Sequence, residues 1–182
     1  AMENPSNAAA LADKALAQLE IAGKLNDAPE VHANLASVHM IKGNAYAAHT
    51  HANQALSAGL QGDNAAGVNG VKGAAEIVEA QYAAAVTSES SATDNPDNLF
   101  NKGLAQVLNK DYQNGLTSFN EAIAKDSNHA LAHYGAAVAS ARLGNADAVV
   151  SNLTNAVKID PSLKEAALSD LEFSKFAATE TF

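Results

Sequence analysis

The sequence predicts an all-α protein in which antiparallel helix pairs stack into an α-α solenoid. Hydrophobic residues make up 47% of the chain but aromatic residues only 5%, because Ala supplies much of the apolar share. Ala is the strongest helix former and lets helices approach closely. All four Pro residues lie where helices can begin, and one pattern of small residues recurs along the chain. Together these features indicate helices throughout.

The Pro residues mark helix starts. In Asn4-Pro5, Asn95-Pro96 and Asp160-Pro161 a side-chain acceptor at the N-cap precedes Pro at the first helical position, and Pro29 opens another apolar-periodic run. Short clusters of turn residues separate the periodic segments, so neighbouring helices must run antiparallel. The polar segment 87–98 predicts a loop or hinge. The ten predicted helices, approximately five hairpins, span residues 6–24, 30–42, 45–58, 64–79, 81–90, 97–109, 112–125, 130–143, 146–158 and 163–176.

The charge balance argues against two classes of partner. Lys and Arg number 11 against 20 Asp and Glu, so the net charge is −9 and the chain repels nucleic acid and anionic lipid. No Cys is present, which excludes disulfides, thiolate nucleophiles and Cys-ligated metals. No apolar run reaches membrane-spanning length, so we expect no direct membrane insertion.

The start and the composition of the chain bear on its location. The first residues lack signal-peptide features, and Ala1-Met2 is consistent with a cloning remnant that replaces an upstream signal or lipoprotein sequence. Sparse Lys with abundant Ala, Asn and Ser slightly favours a periplasmic or envelope-associated protein over a cytoplasmic one.

A set of small residues recurs with fixed spacing. The first set, Ala36, Ala48 and Ala55, has intervals of 12 and 7 residues. The same intervals recur in Gly73, Ala85 and Ala92, in Gly103, Gly115 and Ala122 and, with one larger residue, in Ala137, Val149 and Ala156. In each set a turn begins seven residues after the first member, at Gly43, Ala80, Lys110 and Gly144. Since antiparallel helices approach closely only where both offer small side chains, the pattern predicts a repeated helix pair.

The last two sets begin 34 residues apart, the period of tetratricopeptide repeats. The unit Ala130 to Leu163, with its Leu-Gly-Asn turn and closing Lys-Ile-Asp-Pro, resembles that family. The units Pro96 to His129 and Glu30 to Leu60 are similar. The unit Ala66 to Asn95 is shortened, and it places polar residues where the family buries apolar groups, at Asn69, Lys72, Glu76 and Glu89.

The resemblance implies one domain over residues 1–182, wound as a right-handed superhelix. Its parts are an N-terminal helix or half repeat (6–24), a repeat (29–62), a divergent shortened repeat (64–95), two further repeats (96–129 and 130–162) and a C-terminal capping helix (163–176). The ending 167–176 resembles that of exported bacterial members of the family.

Two groups of His residues are candidates for metal binding. His129 and His133 stand four residues apart on one helix, His32 and His39 stand seven apart, and His49 and His51 lie on the partner helix. No third ligand is evident, and His32, His39 and His133 occupy inward packing sites. We therefore favour packing over metal binding.

The remaining motifs also favour structure over chemistry. The GxxGxxG pattern of Gly67, Gly70 and Gly73 lacks the preceding strand of a nucleotide-binding loop, so close helix packing is favoured. Glu76 and Glu79 indicate a solvated acidic face rather than an acid–base pair. Since no nucleophile, P-loop, HExxH or EF-hand motif occurs, we expect no enzyme activity, no cofactor and no metal site.

The resemblance implies a concave groove, lined by the first helix of each pair, that takes a peptide or a helix. Its lining here is mostly apolar, which implies a non-catalytic scaffold for a protein partner, with Phe100, Leu104, Leu108 and Tyr134 as anchors. The alternative is an assembly protein that homo-oligomerises, as a homodimer for example, or braces an envelope complex. Another helix of the chain could also fill the groove. The groove residues are Met40, Ile77, Phe100, Asn101, Leu104, Val107, Leu108, Tyr134, Val138 and Arg142.

Overall fold

The computed structural model describes residues 5–176, with side chains described from residue 8 onward. Within this range the chain forms ten α-helices and one short 3₁₀ helix, and no β-strand. The α-helices are α1 (Pro5–Leu25), α2 (Pro29–Ile41), α3 (Ala45–Ser57), α4 (Gly62–Val78), α5 (Tyr82–Ser90), α6 (Pro96–Leu108), α7 (Tyr112–Lys125), α8 (Ala130–Leu143), α9 (Ala146–Ile159) and α10 (Leu163–Ser169); the 3₁₀ helix is Leu171–Phe173. The all-α prediction is confirmed.

The chain divides into two compact units, Ala1–Thr93 and Asp94–Phe182. In the first, α1 packs on α2, α2 pairs with α3, and α3 packs on α4, which pairs with α5. In the second, α6 pairs with α7, and α7 packs on α8, which pairs with α9. The boundary falls in the polar segment that was predicted as a loop or hinge, although α5 extends into that segment as far as Ser90. The single-domain organisation stays a prediction.

Side-chain caps begin several helices, as the sequence predicts for α6. The Asn95 side chain accepts a hydrogen bond from the backbone N–H of Asn98, and Pro96 is the first helical residue. Asn44, Asp111 and Asn145 cap the second helix of their pairs in the same way. The predicted cap at Asn4 lies outside the described residues.

Two predictions at the C-terminal end are wrong. Pro161 is not the first residue of a helix: Asp160 ends α9, and α10 begins only at Leu163. The Asp160 carboxylate still accepts hydrogen bonds from the hydroxyl and the backbone N–H of Ser162, which lower the pKa of Asp160 and hold the turn between α9 and α10.

The predicted capping helix 163–176 also breaks early. It ends at Ser169, and Asp170 is extended, with φ −75° and ψ 120°. One Asp170 carboxylate oxygen accepts a hydrogen bond of 2.9 Å from the Glu172 N–H, which caps the following 3₁₀ helix. The chain therefore changes direction at Asp170, between α10 and the residues that follow it.

The recurring small residues are the sites of closest helix approach. All of them are buried except Ala92, which is half-buried. In the second unit the Phe119 ring of α7, 1% exposed, fills space that Gly103 of α6 and Gly135 of α8 leave open. A Cβ atom would lie 2.8 Å from this ring at Gly103 and 2.6 Å from it at Gly135. The absence of two side chains therefore lets three helices share one aromatic core residue.

The four predicted turns share one backbone conformation. Gly43 and Gly144 have φ of 73° and 78°, and Ala80 and Lys110 have φ of 59° and 68°. These are left-handed values, which commonly end helices and which cost free energy for any residue other than Gly. The spacing thus predicted these positions even where Ala and Lys replace Gly.

Replacing Gly135 by Ala is expected to lower the free energy of unfolding by about 1–3 kcal/mol, because the new methyl group would overlap the Phe119 ring. Chemical denaturation followed by circular dichroism measures the change. Gly67→Ala is the matched control, because Gly67 lies inside α4 with nothing within 4 Å of a Cβ atom. It should gain about 0.5–1 kcal/mol. Equal effects of the two substitutions would contradict the packing described.

Replacing Lys110 by Gly is expected to raise the free energy of unfolding by about 0.5–1 kcal/mol, because Gly adopts a φ of 68° without the penalty of a Cβ atom. Asn109→Gly, one residue earlier and at φ −81°, relieves no such penalty and should be destabilising. The same denaturation experiment compares the two variants, and a loss of stability in Lys110→Gly would argue against a strained turn.

Candidate functional site

The predicted groove residues are distributed over both units. Met40 and Ile77 lie in the first unit and the other eight in the second. Met40 is half-buried against a cluster formed by Ala45, Ala48 and Ala75, and Ile77 is half-buried near the end of α4. Both predicted groove residues of the first unit are therefore only partly accessible.

The predicted groove residues on α6 differ in how exposed their side chains are to solvent. Phe100 packs on Phe119 with ring centroids 5.7 Å apart and on the His129 imidazole at 5.3 Å. Leu104 and Val107 also pack against the Phe119 core, and Val107 fills space beside Gly115. Leu108, in contrast, is 40% exposed, and Asn101 is half-buried. Leu108 is thus the accessible apolar side chain among these five.

The three predicted residues on α8 contact the end of the same unit. We call residues 170–176 the C-terminal segment. The Tyr134 hydroxyl donates a hydrogen bond of 2.7 Å to Asp170, and the Tyr134 ring meets Phe173 edge-on with centroids 5.6 Å apart. Val138 packs against the cluster that contains Phe173 and Phe176. The chain itself therefore covers this part of the predicted groove.

Electrostatics support the same contact. The Arg142 guanidinium forms an ion pair with Glu172 and also lies over the Tyr112 ring, 5.7 Å from its centroid. Burial, the hydrogen bond to Asp170 and the negative charge of Asp170 raise the pKa of Tyr134 above its usual value. The Tyr134 hydroxyl thus faces a carboxylate as a hydrogen-bond donor.

A second set of inward residues follows the same repeat and is polar, which the sequence interpretation missed. In each helix pair, one polar side chain lies three residues after the first small residue of the set, and another lies three residues after the second. All of these side chains are buried or half-buried. We call this set the polar seam. Gln106 and Ser118 are hydrogen-bonded across the α6–α7 pair at 2.7 Å. The repeat spacing alone could have identified the seam, whose members are His39, His51, Glu76, Ser88, Gln106, Ser118, Ser140 and Asn152.

Three His residues gather in the first unit. His32 Nε2 lies 2.6 Å from an Asp27 carboxylate oxygen, and His32 Nδ1 lies 3.0 Å from His51 Nδ1. The His39 and His51 rings are stacked with centroids 5.4 Å apart and planes 8° apart. Because the rings are stacked face to face, their nitrogens do not converge on one point. Burial, then the charges of His32 and His39, lower the pKa of His51, against a smaller opposing effect of Gln54.

The prediction of a solvated acidic face at Glu76 and Glu79 is wrong. Glu76 is only 2% exposed, and Glu79 is half-buried. His49 of α3 lies between them, with its Nδ1 atom 2.6 Å from Glu79 Oε2 and its Nε2 atom 3.5 Å from Glu76 Oε1. Lys72 Nζ lies 3.8 Å from the same Glu76 oxygen. Packing of α3 on α4 turns these carboxylates inward, where cationic or polar partners compensate them.

The remaining His and Gly motifs have structural roles. His129 caps α8 through a hydrogen bond from the Ala132 N–H, and His133 lies 3.2 Å from the Ser127 carbonyl oxygen and 3.4 Å from Asn152. Gly67, Gly70 and Gly73 lie within α4, and a Cβ atom at Gly73 would overlap the Glu89 carboxylate. In the described range no group of three or more His, Cys, Asp or Glu residues is arranged to hold a metal ion.

None of the helices between residues 5 and 176 is both long and apolar enough to cross a membrane. The periplasmic or envelope location stays a prediction.

Comparisons with known proteins identify the fold. No family model matches the sequence, and no curated protein matches it. Among solved structures, YrrB, described as a TPR protein with an unusual peptide-binding site, superposes with a TM-score of 0.73 at 22% identity, covering 86% of this chain and 81% of YrrB. MamA from Desulfovibrio magneticus gives 0.73 at 16% identity, covering 84% of this chain and 88% of that one. A tetratricopeptide repeat protein from Parabacteroides merdae superposes with a TM-score of 0.66 at 15% identity, covering 82% of this chain and 60% of that one.

The chain therefore has the tetratricopeptide-repeat fold, which confirms the resemblance drawn from the repeat. Identities this low establish the fold alone. The link to exported bacterial proteins stays a prediction, as do the groove residues themselves.

The His cluster predicts that stability falls at acidic pH. Because the pKa of His51 is lower in the folded chain than its unfolded value of about 6.5, the unfolded state binds more protons as pH falls through 6.5. The free energy of unfolding should therefore decrease from pH 7.5 to pH 5.5, and His51→Gln should reduce that decrease. Urea denaturation at both pH values measures it. An unchanged pH dependence in His51→Gln would contradict the assignment.

Proposed function

We propose that this chain, which has the tetratricopeptide-repeat fold, is a non-catalytic scaffold that binds a peptide or helix of a protein partner on the first helices of its pairs. The observation that carries the proposal is the α6 face, where Leu108 is 40% exposed and follows half-buried Phe100 and Leu104 at intervals of four residues. An apolar stripe at this spacing fits a partner that contributes apolar side chains. The peptide-binding site in the description of YrrB supports the same use of the fold.

The contacts of the anchors refine their roles. Phe100 and Leu104 belong to the Phe119 core as much as to the surface, so replacing either one would change stability together with binding. Leu108 is less affected by this ambiguity, because it is the most exposed of the three residues, at 40%. It is the residue on which binding by α6 is best tested.

An assembly role is the second candidate, and exposed apolar residues on α1 favour it. Leu11, Ile21 and Leu25 are all more than half exposed along this helix. Single exposed Leu residues are common on soluble proteins, whereas several on one helix suit contact with another chain. Sedimentation at increasing concentration distinguishes this role, since a homo-oligomer requires self-association and binding of a separate partner does not.

Replacing Leu108 by Glu is expected to abolish capture of the protein partners that bind this face, because a carboxylate cannot be buried against an apolar surface without a large desolvation cost. Affinity capture with quantitative mass spectrometry compares the variant with wild type. Tyr46→Glu is the matched control, because Tyr46 is an exposed side chain on α3, the second helix of its pair. An identical set of captured proteins for wild type and a folded Leu108→Glu variant would contradict the proposal.

A further inference from the structure

We propose that the α8 face of the second unit recognises a short segment carrying two carboxylates and an aromatic ring, and that the C-terminal segment is its ligand in cis. We call Tyr134, Val138 and Arg142 the α8 face. The inference rests on the proposed scaffold function and adds to it the chemistry of the partner. An external segment of this chemistry would then compete with the chain's own residues 170–176.

The α8 face presents three kinds of group in a row. Its residues are four positions apart, so they lie on one side of the helix and span about 12 Å. Tyr134 offers a hydroxyl donor, Val138 an apolar surface and Arg142 a cation. A ligand that satisfies all three must place one carboxylate near each end and bury an apolar group against the side chains of the face.

The C-terminal segment matches this pattern. Asp170 accepts from the Tyr134 hydroxyl, Glu172 pairs with Arg142, and Phe173 is buried against the Tyr134 ring. Leu171, between the two carboxylates, is 86% exposed and takes no part in the contact. The contact thus fits a sequence in which an acidic residue, any residue, a second acidic residue and an aromatic residue follow one another.

Recognition of carboxylates at this face depends on nearby side chains and not on the net charge of the chain. The whole chain carries a net charge of −9, so its long-range field opposes the approach of acidic segments. Tyr134 and Arg142 nevertheless both face carboxylates, and Arg142 is further held over the Tyr112 ring. Placing these two donors toward acidic groups therefore supplies specificity that overall charge does not.

The C-terminal segment is also joined to its unit in a way that permits exchange. It begins at the extended residue Asp170, directly after the last residue of α10. Its ion pair is partly exposed, with 48% of the Arg142 side chain and 29% of the Glu172 side chain accessible, so solvent screens the pair. Phe173 and Phe176 supply most of the apolar burial. A competing segment therefore has to replace two solvent-screened polar contacts and supply rings in place of Phe173 and Phe176.

A simple capping role would need the two Phe residues but not the carboxylates. Phe173 and Phe176 pack with Leu153, Val149 and the small residues of α8, which any terminal cap would do. The positions of Asp170 and Glu172 opposite a hydroxyl and a guanidinium are the additional observation. A test must therefore separate the charges from the rings.

The test uses a fluorescein-labelled peptide of residues 168–176 and the full chain carrying Phe173→Ala, which weakens the cis contact. Fluorescence anisotropy should show saturable binding to this variant and at least tenfold weaker binding to wild type, because the tethered segment competes at high effective concentration. A peptide carrying Asp170→Asn and Glu172→Gln should bind at least fivefold more weakly than the native peptide. Adding Arg142→Gln to the variant should remove that difference in part, whereas Lys158→Gln, at an exposed cation on α9, should not.

No saturable binding to a Phe173→Ala variant that keeps its helical circular dichroism and a cooperative melt would overturn the proposal. Equal affinity for the native and neutral peptides would overturn it too. If Phe173→Ala does not fold, the chain carrying Asp170→Asn and Glu172→Gln keeps both rings and replaces it; absence of tighter peptide binding than wild type would then be decisive.

Two other outcomes are distinguishable. If the wild-type chain forms dimers that disappear in Phe173→Ala, the α8 face binds the C-terminal segment of a second copy. That result would overturn the proposal of an external partner. Failure of peptide binding while partner capture still depends on Leu108 would overturn this inference and leave the scaffold proposal standing. If peptide binding fails and partner capture does not depend on Leu108, this inference and the scaffold proposal are both rejected.

Discussion

The close approach of helices at small residues is the constraint on which the rest of the structure depends. Gly103 and Gly135 have no side chains, so the Phe119 ring lies against α6 and α8 at once. That shared ring determines which faces of α6 and α8 turn toward α7, and hence that Leu108 is left exposed on α6 and that the C-terminal segment covers the α8 face. The candidate surfaces are therefore consequences of packing, because a bulkier residue at either Gly would push the helices apart.

The polar seam lies immediately beside these contacts. Gln106 and Ser118 satisfy each other, and Glu76 is compensated by His49 and Lys72. A buried polar group is costly unless it meets its partner, so such pairs penalise any helix register other than the native one. In a core with many Ala residues, pairs such as Gln106 and Ser118 therefore add to the specificity that side-chain shape supplies.

Most of the fold could be predicted from the sequence because its determinants are local and periodic. The spacing alone predicts where the small residues lie at the first and second positions of each set. It also predicts the turns at Ala80 and Lys110. The break at Asp170 could not be predicted, because residues 163–176 have helical periodicity and the Tyr134 hydroxyl that faces Asp170 comes from 36 residues earlier. Burial of Glu76 was missed for the same reason, since its partner His49 lies on another helix. The α8 face was predicted as groove lining, but its occupant was visible only in three dimensions.

The C-terminal segment therefore has two roles at one place, as part of the core through its rings and as ligand through its carboxylates. Hydrogen–deuterium exchange of the wild-type chain across a low range of denaturant tests this most directly. The backbone N–H groups of Phe173, Ser174 and Phe176 form hydrogen bonds within the segment, so their exchange reports local opening of the segment. We expect these amides to exchange through a small local opening while those of α8 and α9 stay protected. Exchange of all of them at one common rate, with one common dependence on denaturant, would contradict a releasable ligand.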